Sequence, residues 1–230
     1  MTLWLRVKRR LFRGLATLLM RLVARVRVEN WEKIRDIQGP LIVASNHLGR
    51  VDVALALLVA SRDDFIIVVA EKYRENAVFR FLVKTLDLLW LERFEADLGT
   101  LKEVFRRLER GGMLLIAPEG TRSTTEALLE AKAGVSYIAA KSGVPVIAAS
   151  VFGSEDRVVK ENLKNWNRSE ITIRVGDSFR IPPLPKEGRD LFLREQTDEI
   201  MAQIAVLLPD KYRGVYADHP RVRELGPLRV

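Results

Sequence analysis

The sequence lacks cysteine altogether in its 230 residues, so disulfide bonds, thiolate metal ligands and cysteine nucleophiles are excluded. Only two histidines are present, and His219 lies in a polar, proline-flanked region near the end of the chain. The sequence also lacks a Gly-x-Ser-x-Gly elbow, a Walker loop, a Gly-x-Gly-x-x-Gly turn and a His pair at metal-ligand spacing. If an imidazole does chemistry in this chain, we therefore expect it to be His47.

Acidic residues are missing from residues 1–28, which carry eight basic side chains. The rest of the chain holds 30 basic and 30 acidic residues, so the whole net charge of +8 belongs to this first segment. No stretch reaches the roughly 18 consecutive apolar residues that cross a bilayer. The segment is consequently not expected to span a membrane.

What residues 1–28 do contain is an amphipathic helical pattern. The apolar face of the projected helix holds Leu3, Trp4, Val7, Leu11, Leu15, Leu18, Leu19, Leu22 and Val26, and the opposite face holds Arg6, Arg9, Arg10, Arg13 and Arg21. Basic helices with Trp and Leu on the apolar side are typical of the membrane interface. We predict that this helix lies on an anionic membrane surface. The alternative is a helix packed on its own domain with a solvated basic face.

Beyond this segment, short apolar runs alternate with amphipathic stretches. We predict strands at 41–45, 65–70, 88–91, 113–117 and 144–151, an edge strand at 171–175, and helices at 51–61, 74–85, 97–110, 127–142 and 189–207. Continuous apolar strands separated by helices predict an α/β fold with a mostly parallel sheet covered on both faces. We expect a single domain over residues 29–215, followed by a polar tail at 216–230.

The stretch Leu41–Asp52 combines a buried strand with an imidazole and a carboxylate. Five positions correspond to about 140° around a helix axis, so His47 and Asp52 meet only across a non-helical turn. Gly49 favours such a turn. A carboxylate on one ring nitrogen fixes the tautomer and leaves the other nitrogen free to accept a proton. The alternative is a polar histidine satisfied at a strand end.

Polar residues also follow two other predicted strands. Arg93 follows the third strand, and Glu119-Gly120-Thr121-Arg122 follows the fourth. Gly120 permits close backbone approach, Thr121 offers a hydroxyl, and the Arg122 guanidinium suits a phosphate, with Arg93 and Lys132 as further cations. Because the carboxyl ends of parallel strands share one edge, these residues are expected near His47. The alternative for this loop is a surface turn with an internal Glu–Arg pair.

These motifs occur in the order found in the glycerolipid acyltransferase family, which the chain resembles over roughly residues 30–180. Asn46-His47-x-x-x-x-Asp52 is similar to the family's catalytic motif, and Glu119-Gly120-Thr121-Arg122-Ser123 to its third block. Trp90-Leu91-Glu92-Arg93 and Val144-Pro145-Val146-Ile147 resemble the second and fourth blocks. The chain departs from the usual pattern with Gly49 in place of a common Ser and with Leu91-Glu92 in place of Ile-Asp.

The resemblance implies transfer of a fatty acyl group from a coenzyme A or acyl carrier protein thioester to a glycerolipid hydroxyl, without a metal or bound cofactor. It assigns catalysis to His47 and Asp52, and binding of the acceptor's phosphate to Arg93, Glu119, Gly120, Thr121 and Arg122, with Lys132 nearby. Backbone N–H groups after His47 are expected to stabilise the oxyanion. The expected acceptor is lysophosphatidic acid, at the cytoplasmic face of a membrane.

Two other interpretations remain open on the sequence. The acceptor is alternatively glycerol 3-phosphate, another lysophospholipid or a lyso-aminolipid. The second interpretation is a non-catalytic membrane-binding module, although both His47 and Asp52 are present. Nucleic acid is not an expected partner, because the domain after residue 28 is neutral and lacks basic residues interleaved with stacking aromatics.

Overall fold

A computed structural model of the chain describes residues 2–59, 62–92 and 97–226. The helices are α1 (Leu3–Val23), α2 (Glu32–Arg35), α3 (Asp52–Val59), α4 (Ala77–Leu86), α5 (Leu98–Glu109), α6 (Gly134–Ser142), α7 (Asp156–Lys164), α8 (Arg189–Ala205) and α9 (Pro220–Leu225). The strands are β1 (Ala24–Glu29), β2 (Leu41–Ser45), β3 (Phe65–Ala70), β4 (Leu89–Leu91), β5 (Met113–Ile116), β6 (Val146–Phe152) and β7 (Ser169–Phe179).

The strands of the described residues form one sheet in the order β1-β7-β6-β2-β5-β3-β4. The five strands from β6 to β4 in this order are mutually parallel. β7 pairs antiparallel with β6, and β1 pairs parallel with β7. The predicted α/β fold with a mostly parallel sheet is confirmed.

Two apolar cores cover the two faces of the sheet. On β2, Leu41 and Val43 point into the core on the side of α1–α4, whereas Ile42 and Ala44 point into the core formed with α5, α6 and α8. All four side chains are at most 5% exposed. Side chains alternate between the faces of a strand, so a fully apolar strand is the expected sequence of a sheet buried on both sides.

The first segment differs from its prediction as a single helix over residues 1–28. α1 ends at Val23, and residues 24–29 form β1, which pairs with β7 from Ala24 opposite Ser169 to Glu29 opposite Arg174. The alternating β-branched residues Val26 and Val28 favour a strand once a partner strand is available. As a result β7 is an interior strand, and the prediction of an edge strand at 171–175 is wrong in this respect. The strand is also longer than predicted, from Ser169 to Phe179.

Two other predicted stretches also differ. α6 begins at Gly134 rather than at residue 127, because backbone N–H groups of the preceding loop are used in tertiary hydrogen bonds, such as that of Leu128 to the Tyr212 carbonyl. The expected polar tail contains α9, and two of its side chains, Tyr216 and Val222, are buried. Residues 227–230 of that tail lie outside the described residues.

α1 packs on α3 and α4 through the side that buries Arg9, Ala16 and Met20, whereas Arg6, Arg10 and Arg21 are exposed. Arg9 is only 3% exposed, and its guanidinium donates to the carbonyls of Asp63, Phe65 and Leu86 at 2.7–3.0 Å. Burial lowers the pKa of Arg9 to about 10, and the guanidinium lies 4.2 Å from the centre of the Phe65 ring. Arg10 forms an ion pair with Asp63.

The predicted apolar face of α1 therefore points away from the domain. Seven of its side chains are more than half exposed: Leu3, Trp4, Leu11, Leu15, Leu18, Leu19 and Leu22. A helix on the surface of a soluble domain normally buries such a stripe. Among the described residues, no helix is both long enough and apolar enough to pass through a bilayer.

Candidate functional site

The centre of the site is the turn that joins β2 to α3. His47 Nδ1 lies 2.8 Å from Asp52 Oδ2, and the same oxygen accepts hydrogen bonds from the backbone N–H groups of Leu48 at 2.7 Å and Gly49 at 2.9 Å. Asp52 thus closes the turn that carries His47. With the carboxylate ionised, Nδ1 carries the hydrogen, and Nε2 is left as an acceptor.

The Asp52 carboxylate is shielded from solvent. The residue is 8% exposed, and its other oxygen, Oδ1, has no hydrogen-bond partner among the described residues. The hydrogen bonds to His47, Leu48 and Gly49 are all made by Oδ2. Because the carboxylate lies against the imidazole ring and is shielded from water, its negative charge stabilises the ring when the ring is protonated.

The turn is attached to the end of β6 by a side chain and by a close backbone contact. Asn46 is 4% exposed, and its amide pairs with both the N–H and the carbonyl of Val151 at 2.8 Å. A Cβ on Gly49 would lie 1.8 Å from the Ser154 carbonyl oxygen. Only glycine fits at position 49 in this arrangement.

Glu119 connects the His47 turn to the loop after β5. Its oxygens accept hydrogen bonds from the backbone N–H groups of His47 at 3.1 Å and Leu129 at 3.0 Å. The residue is 3% exposed, and this burial raises the pKa of its carboxyl to about 7. The N–H of Ser123 donates to the His47 carbonyl at 2.8 Å. The structure thus brings the predicted third block against the His–Asp turn, with Glu119 buried beneath it.

Arg122 lies at the surface of this loop and forms an ion pair with Asp156, the first residue of α7. Arg122 Nη1 is 2.5 Å from Asp156 Oδ2. Arg50 approaches the same oxygen with Nε at 3.6 Å, and its backbone N–H donates to Asp156 Oδ1 at 2.8 Å. The alternative of a Glu–Arg pair within the loop is not what the structure shows, because Glu119 and Arg122 bind different partners.

Three of the remaining predicted residues, Gly120, Thr121 and Lys132, lie in or beside the loop after β5. Gly120 has a φ of +67°, a region that glycine adopts without strain, and a Cβ there would lie 3.5 Å from the Lys132 side chain. Lys132 is brought close because its N–H donates to the Pro118 carbonyl at 2.9 Å. Thr121 is exposed. Arg93 lies outside the described residues.

Sequence reasoning assigns no role to Asn46, Arg50 or Asp156. Asp156 lies just beyond the carboxyl end of β6, next to β2, so the rule that placed the other loops at this edge applies to it as well. Arg50 lies within the spacer of the His–Asp motif. The sequence predicts that backbone N–H groups after His47 stabilise the oxyanion. In the structure the N–H groups of residues 48, 49 and 50 all donate to carboxylates instead.

Comparison with known proteins places the chain in a family. The profile of the family described as Acyltransferase matches residues 25–151, more than half of the chain. The chain belongs to the Acyltransferase family. The matched range begins within β1 and includes the His47 turn, the Glu119–Arg122 loop and most of β6.

Relatives of this acyltransferase-family chain carry a common description. It is 27% identical over 95 residues to the 1-acyl-sn-glycerol-3-phosphate acyltransferase of Haemophilus influenzae, covering 40% of this chain and 38% of the relative. It is 25% identical over 137 residues to the chloroplastic enzyme LPAT1 of Arabidopsis thaliana, covering 56% of this chain and 36% of the relative. The matches thus span only a little over a third of these curated relatives.

A solved structure shares the fold. The crystal structure of the 1-acyl-sn-glycerophosphate (LPA) acyltransferase PlsC from Thermotoga maritima superposes with a TM-score of 0.62 at 22% identity. The superposition covers 84% of this chain and 76% of the other. At this identity the likeness supports the arrangement of the sheet and helices described above.

Proposed function

We propose that this protein transfers a fatty acyl group from an acyl-CoA or acyl carrier protein thioester to the sn-2 hydroxyl of lysophosphatidic acid, giving phosphatidic acid. The observation that carries the proposal is the His47–Asp52 pair at the carboxyl end of β2, with Arg122 in the adjoining loop. The pair supplies a general base for the hydroxyl proton, and Arg122 supplies a cation for the acceptor's phosphate. The names of the relatives support the acceptor.

His47 acts as the general base in this proposal. Its side chain is 25% exposed, so a substrate hydroxyl can reach Nε2 while Asp52 holds Nδ1. Nε2 takes the hydroxyl proton as the oxygen attacks the thioester carbonyl. The carbon–sulfur bond then breaks, and the imidazolium returns the proton to the departing thiolate. A positioned base of this kind typically contributes about 10² to 10⁴ in rate.

Arg122, Gly120, Thr121 and Lys132 hold the acceptor's phosphate, together with Arg93. Arginine binds phosphate oxygens through parallel N–H groups, and an oriented acceptor converts a bimolecular encounter into a local one. Glu119 serves this site through the backbone, because both of its oxygens accept N–H groups from the two loops. It holds the base and the phosphate loop in register.

Membrane binding by α1 completes the proposal. A lysophospholipid resides in a bilayer, and the exposed leucines of α1 form the surface that meets the lipid, with basic residues available for anionic headgroups. The protein is then peripheral or monotopic. We place it at the cytoplasmic face, where acyl-CoA and acyl carrier protein thioesters are produced.

Thioester consumption with lysophosphatidic acid in liposomes tests the function. We expect wild type and a His219→Ala control to be active, His47→Ala to lose at least about 10²-fold in kcat, and Arg122→Ala mainly to raise the KM for the acceptor. An active wild type whose His47→Ala variant keeps most of its rate would refute the mechanism. Wild-type activity only with glycerol 3-phosphate, another lysophospholipid or a lyso-aminolipid would replace the acceptor.

A further inference from the structure

We propose that Arg50 and Arg122 together form a two-arginine clamp for the acceptor's phosphate, and that Asp156 is the clamp's resident counter-ion. In the absence of acceptor the Asp156 carboxylate occupies the position of the phosphate. A phosphomonoester displaces it, whereas a phosphodiester competes with it poorly. The inference rests on the proposed function and adds both a residue of the binding site and a basis for choosing the acceptor.

The two guanidinium groups converge on one oxygen. Arg122 Nη1 and Arg50 Nε lie 2.5 Å and 3.6 Å from Asp156 Oδ2. Both nitrogens are thus arranged around a single anionic atom, at a spacing that one phosphate group can bridge. An aspartate carboxylate and a phosphate present similar oxygens to the planar fork of an arginine.

The clamp is open to solvent. The side chains of Arg50, Arg122 and Asp156 are 80%, 32% and 41% exposed. Ion pairs at this exposure are worth no more than about 1 kcal/mol, so an incoming ligand can break them. Each guanidinium carries five N–H donors, which allows the arginines to rotate from the carboxylate to a ligand without losing hydrogen bonds.

The clamp is built onto the turn that carries the base. Arg50 lies between His47 and Asp52 in sequence, and Asp156 Oδ1 holds its backbone N–H at 2.8 Å. Arg122 lies next to Ser123, whose N–H donates to the His47 carbonyl. In lysophosphatidic acid the carbon bearing the free hydroxyl neighbours the carbon bearing the phosphate. A phosphate in the clamp therefore keeps that hydroxyl close to the His47 turn.

Charge explains the selectivity. The clamp carries two positive charges, and Asp156 neutralises one of them. A phosphomonoester, with a second pKa of about 6, carries nearly two negative charges at neutral pH and three terminal oxygens. It outcompetes a carboxylate of single charge. A phosphodiester carries one charge and two free oxygens, so it gains little over Asp156.

The variant Asp156→Asn isolates this effect. Asparagine retains an oxygen that accepts the Arg50 N–H but removes the charge that competes for the two guanidinium groups. Arg157→Ala is the matched control, because Arg157 is the next residue, is 67% exposed and pairs with Glu126 instead. Arg50→Ala tests the second arm of the clamp.

Two readouts keep the clamp separate from the reaction. The first is calorimetric binding of glycerol 3-phosphate and of glycerophosphoglycerol, a monoester and a diester that need no turnover. The second is the steady-state comparison of lysophosphatidic acid with lysophosphatidylglycerol in liposomes. We expect Asp156→Asn to reduce the preference for the monoester about fivefold in both, mainly by improving the diester. Arg50→Ala should raise the KM for lysophosphatidic acid about tenfold with little change in kcat.

The outcomes are distinguishable. If Asp156→Asn weakens both esters equally, Asp156 merely holds Arg122 in place, and the counter-ion role is wrong. If Arg50→Ala binds the monoester like wild type and Arg157→Ala, the clamp has one arm and the proposal fails. If wild type acylates no lysophospholipid, the proposed function fails, and the calorimetric comparison still decides whether the clamp and its preference exist.

Discussion

Gly49→Ala is the substitution whose effect follows most directly from the structure. The new methyl carbon would lie 1.8 Å from the Ser154 carbonyl oxygen and 2.9 Å from its carbon. Carbon–oxygen contacts begin at about 3.3 Å, so one of the two backbones must move by roughly 1.5 Å. Neither is free to do so. The N–H groups of residues 49 and 50 are bound to Asp52 and Asp156, and Ser154 is fully buried.

The expected loss in the free energy of unfolding has two contributions. Overpacking of this kind typically costs about 1–3 kcal/mol, and each lost hydrogen bond to a carboxylate costs about 1.5–3 kcal/mol. We therefore expect a loss of about 3–5 kcal/mol in the free energy of unfolding, which corresponds to a fall of roughly 10 °C in Tm for a chain of this length. Because the displaced turn carries His47, kcat/KM should also fall by about 10².

Thermal and denaturant unfolding of Gly49→Ala measure the loss of stability, and the liposome assay measures the loss of kcat/KM. Gly134→Ala is the control, since a Cβ there meets no atom within 4 Å and the residue begins α6. Gly49→Ser, the residue common in the family, should behave like Gly49→Ala in this chain. A Gly49→Ala protein that melts within about 1 °C of wild type and keeps its activity would show that Ser154 does not restrain the turn.

Three further predictions concern the buried carboxyl, the buried guanidinium and the exposed face of α1. Burial raises the pKa of Glu119 from 4.5 to about 7, so its contribution to stability is complete below pH 4.5 and is lost as pH rises through 7. Glu119→Gln should remove this part of the pH dependence of unfolding, and an unchanged pH profile would contradict it. Arg9→Met should cost at least about 3 kcal/mol in denaturant unfolding, because buried carbonyls lose their donor, whereas the exposed Arg10→Met should cost less than about 1 kcal/mol. Leu11→Asp with Leu18→Asp should leave the Tm nearly unchanged but weaken vesicle co-sedimentation at least about tenfold, and undiminished binding would assign the membrane contact elsewhere.

The sheet is predictable because its strands carry a simple signal. The runs beginning at Leu41, Phe65 and Val146 are short and apolar on both faces, which is typical of strands in a parallel sheet buried on both sides. The adjacency of the His47 turn and the Glu119 loop follows from the common edge of β2 and β5. Periodicity and strand ends are sufficient for these features.

The features that escape prediction depend on partners distant in sequence. The pattern of β1 continues that of the helix before it, and its pairing with β7 involves residues about 145 positions away. The loop before α6 has the sequence pattern of a helix but does not form one. Its N–H groups donate to Glu119 and to the Tyr212 carbonyl instead of to helix carbonyls. The role of Asp156 requires the distances themselves, because an acid at the start of a helix is ordinary in any sequence.

The pairing of β1 with β7 has a consequence for shortened forms of the protein. Removing a helix with an exposed apolar face is a common way to obtain a more soluble protein. The charge pattern of the sequence suggests a cut after residue 28. That cut would remove five of the six residues of β1 and leave the β7 edge, with Ile171 and Ile173, without its neighbouring strand. Unpaired strand edges of this kind promote aggregation. A truncated chain that begins at Ala24 retains the strand, and solubility of the two truncations should differ accordingly.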